Sequence, residues 1–154
     1  MRFCQIDEIT LLEPGQKIMA VRRLTGTEDY LRDHFPRFPV MPGVLMLESL
    51  YQAAALLIRA TENYKSGLVL LRAAKNVKFA DFVEPGQELN ITAEILKTEG
   101  NQFTVKAAGT KQNKLAVSGR LIVECVPAQE PAVDAYACQF MRQLTEQLQK
   151  AAMA

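Results

Sequence analysis

The chain has 154 residues, 49% hydrophobic and 23% charged, with a formal net charge of +1. That length suits one domain that buries well over half of its unfolded surface. A charge so near zero excludes a nucleic-acid binder held by bulk phosphate attraction.

Residues 49–58 are the most apolar run, too short to cross a bilayer and flanked by Glu48 and Arg59. The first ten residues hold no apolar core of signal-peptide length. Cys4, Cys125 and Cys138 are odd in number and form no CxxC or Cys/His cluster. They are expected as buried thiols in a reducing compartment, with no metal site, and the expected location is the cytoplasm.

Residues 2–12 and 17–25 are strand-like and rich in branched side chains. Between them, Glu13-Pro14-Gly15-Gln16 has proline and glycine where a type II turn needs them, which predicts a hairpin. Residues 26–33 suit a loop with at most one helical turn. Residues 43–62 read as a long helix whose apolar residues occupy nearly all faces, so it is expected to be buried almost all round.

Residues 68–83 form a long extended run, ended by Glu84-Pro85-Gly86-Gln87, the earlier turn tetrapeptide repeated verbatim. Residues 88–98 alternate, with Leu89, Ile91, Ala93 and Ile95 on one face. Residues 102–110 do the same through Phe103, Val105 and Ala107, and 115–126 through Val117, Gly119, Leu121, Val123 and Cys125. The expected order is a hairpin, one long helix and a four-stranded antiparallel meander. Residues 127–132 (PAQEPA) then link to a helix with Val133, Tyr136, Phe140, Leu144 and Leu148 on one stripe. That stripe predicts docking on the chain's own sheet or on a neighbouring subunit. The domain reading is therefore 1–126 as an α+β unit and 127–154 as linker and amphipathic helix.

The candidate chemistry lies in 33–52, DHFPRFPVMPGVLMLESLYQ. It contains the only histidine, His34, in a segment stiffened by Pro36 and Pro39. Glu48 sits five residues beyond Gly43, roughly 7–8 Å along a helix axis. Burial among Leu45, Leu47 and Leu50 would raise the pKa of its carboxyl, which is how such a group serves as an acid near neutrality. It would otherwise be a structural carboxylate paired to a distant cation. Gln52, one turn on, can orient that carboxyl. The amides of Gly43 and Val44 would open the helix and polarise a carbonyl oxygen, since Pro42 carries no N–H. Plain helix initiation explains Pro42-Gly43 equally well. Together the groups suit proton abstraction alpha to a carbonyl, with loss of a neighbouring group.

The run HFPRFPVMPGVLMLESLYQ resembles the active-site motif of the 3-hydroxyacyl-[acyl-carrier-protein] dehydratases, FabZ type with FabA as a cousin. That pattern is His-Phe-Pro-Gly-x-Pro-x-Met-Pro-Gly-x-Leu, then Glu or Asp, then Gln. The resemblance extends over residues 5–126, including IDEITLLEPGQKIMAVRRLT and KNVKFADFVEPGQELNITAEI. It implies a hotdog fold, an antiparallel sheet wrapped around one long helix. It also implies homodimers, grouped in some members as trimers of dimers, whose sites combine His34 of one copy with Glu48 of the other. By resemblance, His34 takes the C2 proton, Glu48 protonates the leaving hydroxyl, Gly43 and Val44 hold the thioester carbonyl, Gln52 orients Glu48 and Phe35 lies beside the substrate. No metal or organic cofactor is implied, because the acyl group arrives on the phosphopantetheine of acyl carrier protein.

Arg37 and Asp33 stand where the family usually has glycine, and the C-terminal helix is extra. The two loop departures are expected to bear on chain length or on the titration of His34, and the extra helix to cap the sheet or the oligomer interface. Acyl carrier proteins are acidic, so Arg72, Lys75 and Lys78 are candidates for a basic rim, or else a solvated strand face. The alternatives are a dehydratase or thioesterase of a polyketide or secondary-lipid pathway, and a non-catalytic acyl-binding hotdog protein. Thioesterases of this fold usually lack the His-Phe-Pro loop.

Overall fold

Both copies of the Glu-Pro-Gly-Gln tetrapeptide fold into the same turn. Gln16 N–H donates to Glu13 O and Gln87 N–H to Glu84 O, each at 3.0 Å. Gly15 and Gly86 take φ of 82° and 86°, the positive value that the third residue of a type II turn requires. The first of these turns closes a hairpin between β1 (Glu8–Glu13) and β2 (Lys17–Arg23). A short 3-10 turn (Asp29–Arg32) then leads to helix α1 (Gly43–Thr61). Strands β3 (Leu68–Phe79), β4 (Glu88–Glu99), β5 (Gln102–Lys111) and β6 (Lys114–Val126) follow, and α2 (Pro131–Met153) completes the order. The computed structural model describes residues 3–127 and 130–153, so Ala128 and Gln129 of the expected linker lie outside the described residues.

The six strands make one antiparallel sheet in the order β1-β2-β4-β5-β6-β3. It packs around α1, which touches five of them, and this is the expected hotdog arrangement. The four-stranded meander needs correction. Only β4, β5 and β6 form one, while β3 lies at the far edge, paired with β6. Strand β3 also stops at Phe79 rather than Val83. The segment after it leaves the sheet, held by Ala80 N–H on Ala116 O and by Met41 N–H on Val83 O. Strand β1 likewise starts at Glu8 instead of residue 2. Residues 3–5 run alongside α1, tied to Gln52, and Asp7 N–H donates to Val21 O at 2.8 Å.

The alternation expected of β4, β5 and β6 is observed. Leu89, Ile91, Ala93, Phe103, Val105, Ala107, Val117, Leu121, Val123 and Cys125 are all buried. Between them Gly109 faces the core, where a Cβ would lie 2.7 Å from Leu89 Cδ1 and 2.9 Å from Val117 Cγ1. Those side chains belong to the strands on either side, so neither can swing clear without opening the core. Gly109→Ala should therefore cost about 1–3 kcal/mol. Thermal unfolding would report this as a Tm lowered by several degrees; an unchanged Tm would mean that Leu89 and Val117 yield freely.

Helix α1 is buried less evenly than its composition suggests. Ala53 to Ile58 are all buried, yet Val44 is 71% exposed, and Leu45, Leu47, Glu48 and Tyr51 are half-buried. It is long and apolar enough to cross a membrane by composition alone, but 56% of its most apolar window is buried in the fold, which makes it the core helix. Helix α2 needs a similar correction. It packs on β1 and α1 of its own chain, through half-buried Met141 and Leu144 and buried Thr145 and Leu148. Val133, Tyr136 and Phe140 from the expected stripe stay more than half exposed. The packed face spans 141–148 and so begins about two helical turns beyond the start of the apolar stripe at Val133.

All three cysteines are free, and their environments differ. Cys125 is buried, which pushes its pKa to about 11, with Glu62 adding to the effect. Cys138 is half-buried and Cys4 is exposed, so the expectation of three buried thiols holds only for Cys125.

Candidate active site

The loop before α1 fixes His34 through its backbone. His34 N–H donates to Tyr30 O at 3.1 Å, and Val40 N–H donates to His34 O at 2.9 Å. The ring stacks on Phe35 with centroids 4.3 Å apart, and the peptide between the two residues is cis. Nδ1 lies 3.0 Å from the carbonyl oxygen of buried Val40. A carbonyl only accepts, so Nδ1 carries the hydrogen, and Nε2 is left with the lone pair of a base.

That ring lines a cleft of about 360 Å³ together with Gly43, Met41, Met46, Phe79 and Phe82. The first turn of α1 opens there. Leu45 and Met46 N–H both return to Pro42 O, and Pro42 supplies no side-chain cap. The first-turn donors left to meet a ligand, among the described residues, are the amides of Gly43 and Val44. Gly43 has a second reason to be glycine. A Cβ there would press on the Phe79 ring at 3.0 Å, so the absence of a side chain lets the aromatic wall close against the helix end. The imidazole and the Gly43 end of α1 are therefore brought into one cleft, while the Val44 side chain is 71% exposed. Asp81 also lines it. Its carboxyl accepts from Phe82 N–H and pairs with Lys111, which hold its pKa below the usual value.

Glu48 and Gln52 sit elsewhere. Gln52 Oε1 accepts from Gln5 N–H at 2.7 Å, which fixes the amide so that Nε2 faces Phe3 O at 2.6 Å and Glu48 Oε1 at 2.9 Å. With Oε1 accepting, an acid proton on Glu48 belongs on Oε2. The expected orienting role of Gln52 thus has its geometry, supplied by the backbone of residues 3–5. These two residues line a separate groove, between α1, the N-terminal segment and α2, and that groove shares no lining residue with the His34 cleft. Within one chain, base and acid are kept apart.

Several contributors carry no mark in the sequence. The Val40 carbonyl and the amide and carbonyl of residues 3–5 act through backbone atoms, which every residue has. Phe79 ends β3 and Phe82 follows it, and only the sheet order brings them over Gly43. The two departures at the loop are mild in place. Asp33 and Arg37 are exposed, and Arg37 is not among the residues at positive φ, so nothing in its backbone demands glycine. Among the described residues, no three His, Cys, Asp or Glu side chains gather as a metal site. Arg72 of the expected basic rim is paired with Glu124, whereas exposed Lys75 lies opposite Arg120 and Arg120 opposite Lys106.

The chain is similar to known proteins in sequence and in fold. The chain is 37% identical over 120 residues to the 3-hydroxyacyl-[acyl-carrier-protein] dehydratase FabZ of Clostridium kluyveri, covering 78% of this chain and 83% of that protein. It is 39% identical over 116 residues to FabZ of Levilactobacillus brevis, covering 75% and 78%. The dehydratase heterocomplex ApeI:P of Xenorhabdus doucetiae superposes with a TM-score of 0.65 at 14% identity, over 87% of this chain and 90% of that one. A model of the FabA-like domain matches residues 1–125, from the N-terminal segment that clamps Gln52 to the last strand of the sheet. By that match, and by relatives at 37% and 39% identity covered over most of their own length, the chain belongs to the FabA-like family.

Proposed function

We propose that this protein is a dehydratase that removes water from 3-hydroxyacyl-[acyl-carrier-protein] thioesters, giving trans-2-enoyl thioesters in cytoplasmic fatty-acid biosynthesis. The observation that carries this reading is the His34 imidazole, its Nδ1–H tied to Val40, in one cleft with the Gly43 end of α1. The FabZ relatives support the substrate class.

In this reading the thioester carbonyl sits on the Gly43 and Val44 amides, which stabilise the negative charge that grows on its oxygen as C2 loses a proton. His34 Nε2 takes that proton. Glu48 of a second copy gives its Oε2 proton to the C3 hydroxyl, which leaves as water, and the C2–C3 double bond forms. Gln52 holds that carboxyl in orientation. The acyl group arrives on the phosphopantetheine of acyl carrier protein, and the chemistry asks for no metal or further cofactor.

Two copies are needed because one chain holds His34 and Glu48 in separate clefts. The exposed surface supports such pairing. Strand β3 is an open sheet edge of 12 residues, a ready template for a second strand. Phe35, Phe38, Val44, Phe79 and Phe82 are each at least 45% exposed in the same region, as an interface between copies requires. Homodimers built on β3, and trimers of them, fit this reading. Lys75 and Lys78 on β3 remain candidates to meet the acidic carrier.

The reading is tested by incubating the protein with a 3-hydroxyacyl thioester and following enoyl product and free thiol separately. Enoyl formation without thiol release is expected. Thiol without enoyl would make the protein a thioesterase, and neither product would leave a binding protein.

A further inference from the structure

The groove that starts at Glu48 is closed by a helix outside the family domain. The FabA-like match ends at residue 125, and α2 begins at Pro131. This added helix supplies Phe140, Met141 and Leu144 to the groove wall, opposite Tyr51, Ala55 and Leu56 of α1. The volume is about 430 Å³, within the roughly 300–1,000 Å³ typical of small-molecule sites.

Its polarity is arranged lengthwise. Glu48 and Gln52 stand at one end, and Arg59 at the other, with apolar side chains between. Glu48 and Arg59 are eleven residues apart on α1, so the groove extends about 16 Å along the axis at 1.5 Å per residue. Arg59 is held in place by Ser66 O at 3.0 Å and Gly67 O at 3.3 Å. A hydrocarbon entering beside Glu48 would lose water along the apolar stretch and then meet a fixed guanidinium. Burial of each methylene favours binding by about fourfold, and that gain stops where the cation begins.

We infer that this groove receives the alkyl tail of the acyl substrate, and that α2 sets the preferred chain length. The inference rests on the reading of Glu48 as the acid that protonates the C3 hydroxyl. With C3 at Glu48, the carbons beyond it lie at the groove's mouth, and the apolar wall from α1 and α2 is their continuation. Phe140, 52% exposed, then serves as the lip of the groove. Arg59 marks the far limit, so selectivity rises with chain length and falls once the tail reaches that residue.

The test compares kcat/KM for four-, eight- and sixteen-carbon 3-hydroxyacyl thioesters in the full-length protein and in two variants. Leu144→Trp fills the groove, and Phe140→Ala removes its lip at a position exposed enough to spare the fold. The eight-carbon to four-carbon ratio should fall about tenfold or more in Leu144→Trp and severalfold in Phe140→Ala. In parallel, an eight-carbon thioester with a photoreactive terminal group is bound to the unaltered protein, and its adducts are mapped by mass spectrometry. Labels on residues 140–148 are expected. A ratio that holds in both variants, with labels only on sheet residues, would overturn the inference while leaving dehydration intact. If the unaltered protein gave no enoyl product from any chain length, the reading of Glu48 would fall, and this inference with it.

Discussion

Replacing His34 with alanine is expected to lower kcat/KM for dehydration by about 100- to 10,000-fold, the range over which a positioned proton-transfer group contributes. The effect should fall chiefly on kcat, because the imidazole acts on the C2 proton in the transition state rather than on the carrier or the tail. The fold should survive. The loop's own ties, His34 N–H to Tyr30 O and Val40 N–H to His34 O, use backbone atoms that alanine keeps. The lost contacts are one hydrogen bond from Nδ1 to Val40 O, worth about 1 kcal/mol net, and the ring's stacking on exposed Phe35. Circular dichroism and thermal melting of the variant should thus stay close to those of the parent. Substantial remaining turnover would show that some other group takes the proton.

The parts of this site that depend on local chemistry were legible in the sequence. Proline and glycine at fixed places in a turn specify the backbone wherever they occur, and the two Glu-Pro-Gly-Gln turns formed as expected. Alternation over Leu89 to Ile95 fixed the buried face of β4, because side chains repeat every second residue. Neighbour relations were another matter. Period two says which face of a strand is buried and nothing about which strand lies beside it, so the placement of β3 next to β6 was not readable. With it went the position of Phe79 and Phe82 over the helix end.

The even apolar composition of α1 misled for a physical reason. Burial inside one chain and burial between copies demand the same residues. A helix apolar on nearly all faces is expected to be buried all round, yet the fold leaves Val44 exposed and Leu47 half-buried. The apolar stripe on α2 starts at Val133, yet the residues that pack on β1 and α1 lie in 141–148, and Cys138 meets Ser66 O in the segment after α1. Gln52 was identified through its spacing to Glu48, and its clamp by residues 3–5 was not, because the clamp is made of backbone.

The second large effect concerns the sharing of a site between copies. Glu48→Gln keeps the shape of the side chain but removes its acidic proton, so this variant alone should be as inactive as His34→Ala alone. A dimer that holds one chain of each kind is different. One of its two sites combines both altered residues and is dead. The other combines His34 from the Glu48→Gln chain with Glu48 from the His34→Ala chain, and is complete. If the two chains pair at random, half of the dimers are mixed and each has one working site.

Co-expression of His34→Ala and Glu48→Gln chains, followed by an assay of enoyl formation, is therefore the most direct measurement. A site built from two copies predicts recovery to about a quarter of the unaltered rate per chain in a random mixture of C2 dimers. Mixed dimers isolated with two different affinity tags should reach about half on the same arithmetic. Isolated mixed dimers that stay as inactive as either variant alone would contradict the account, and would place His34 and Glu48 in the same site of a single chain.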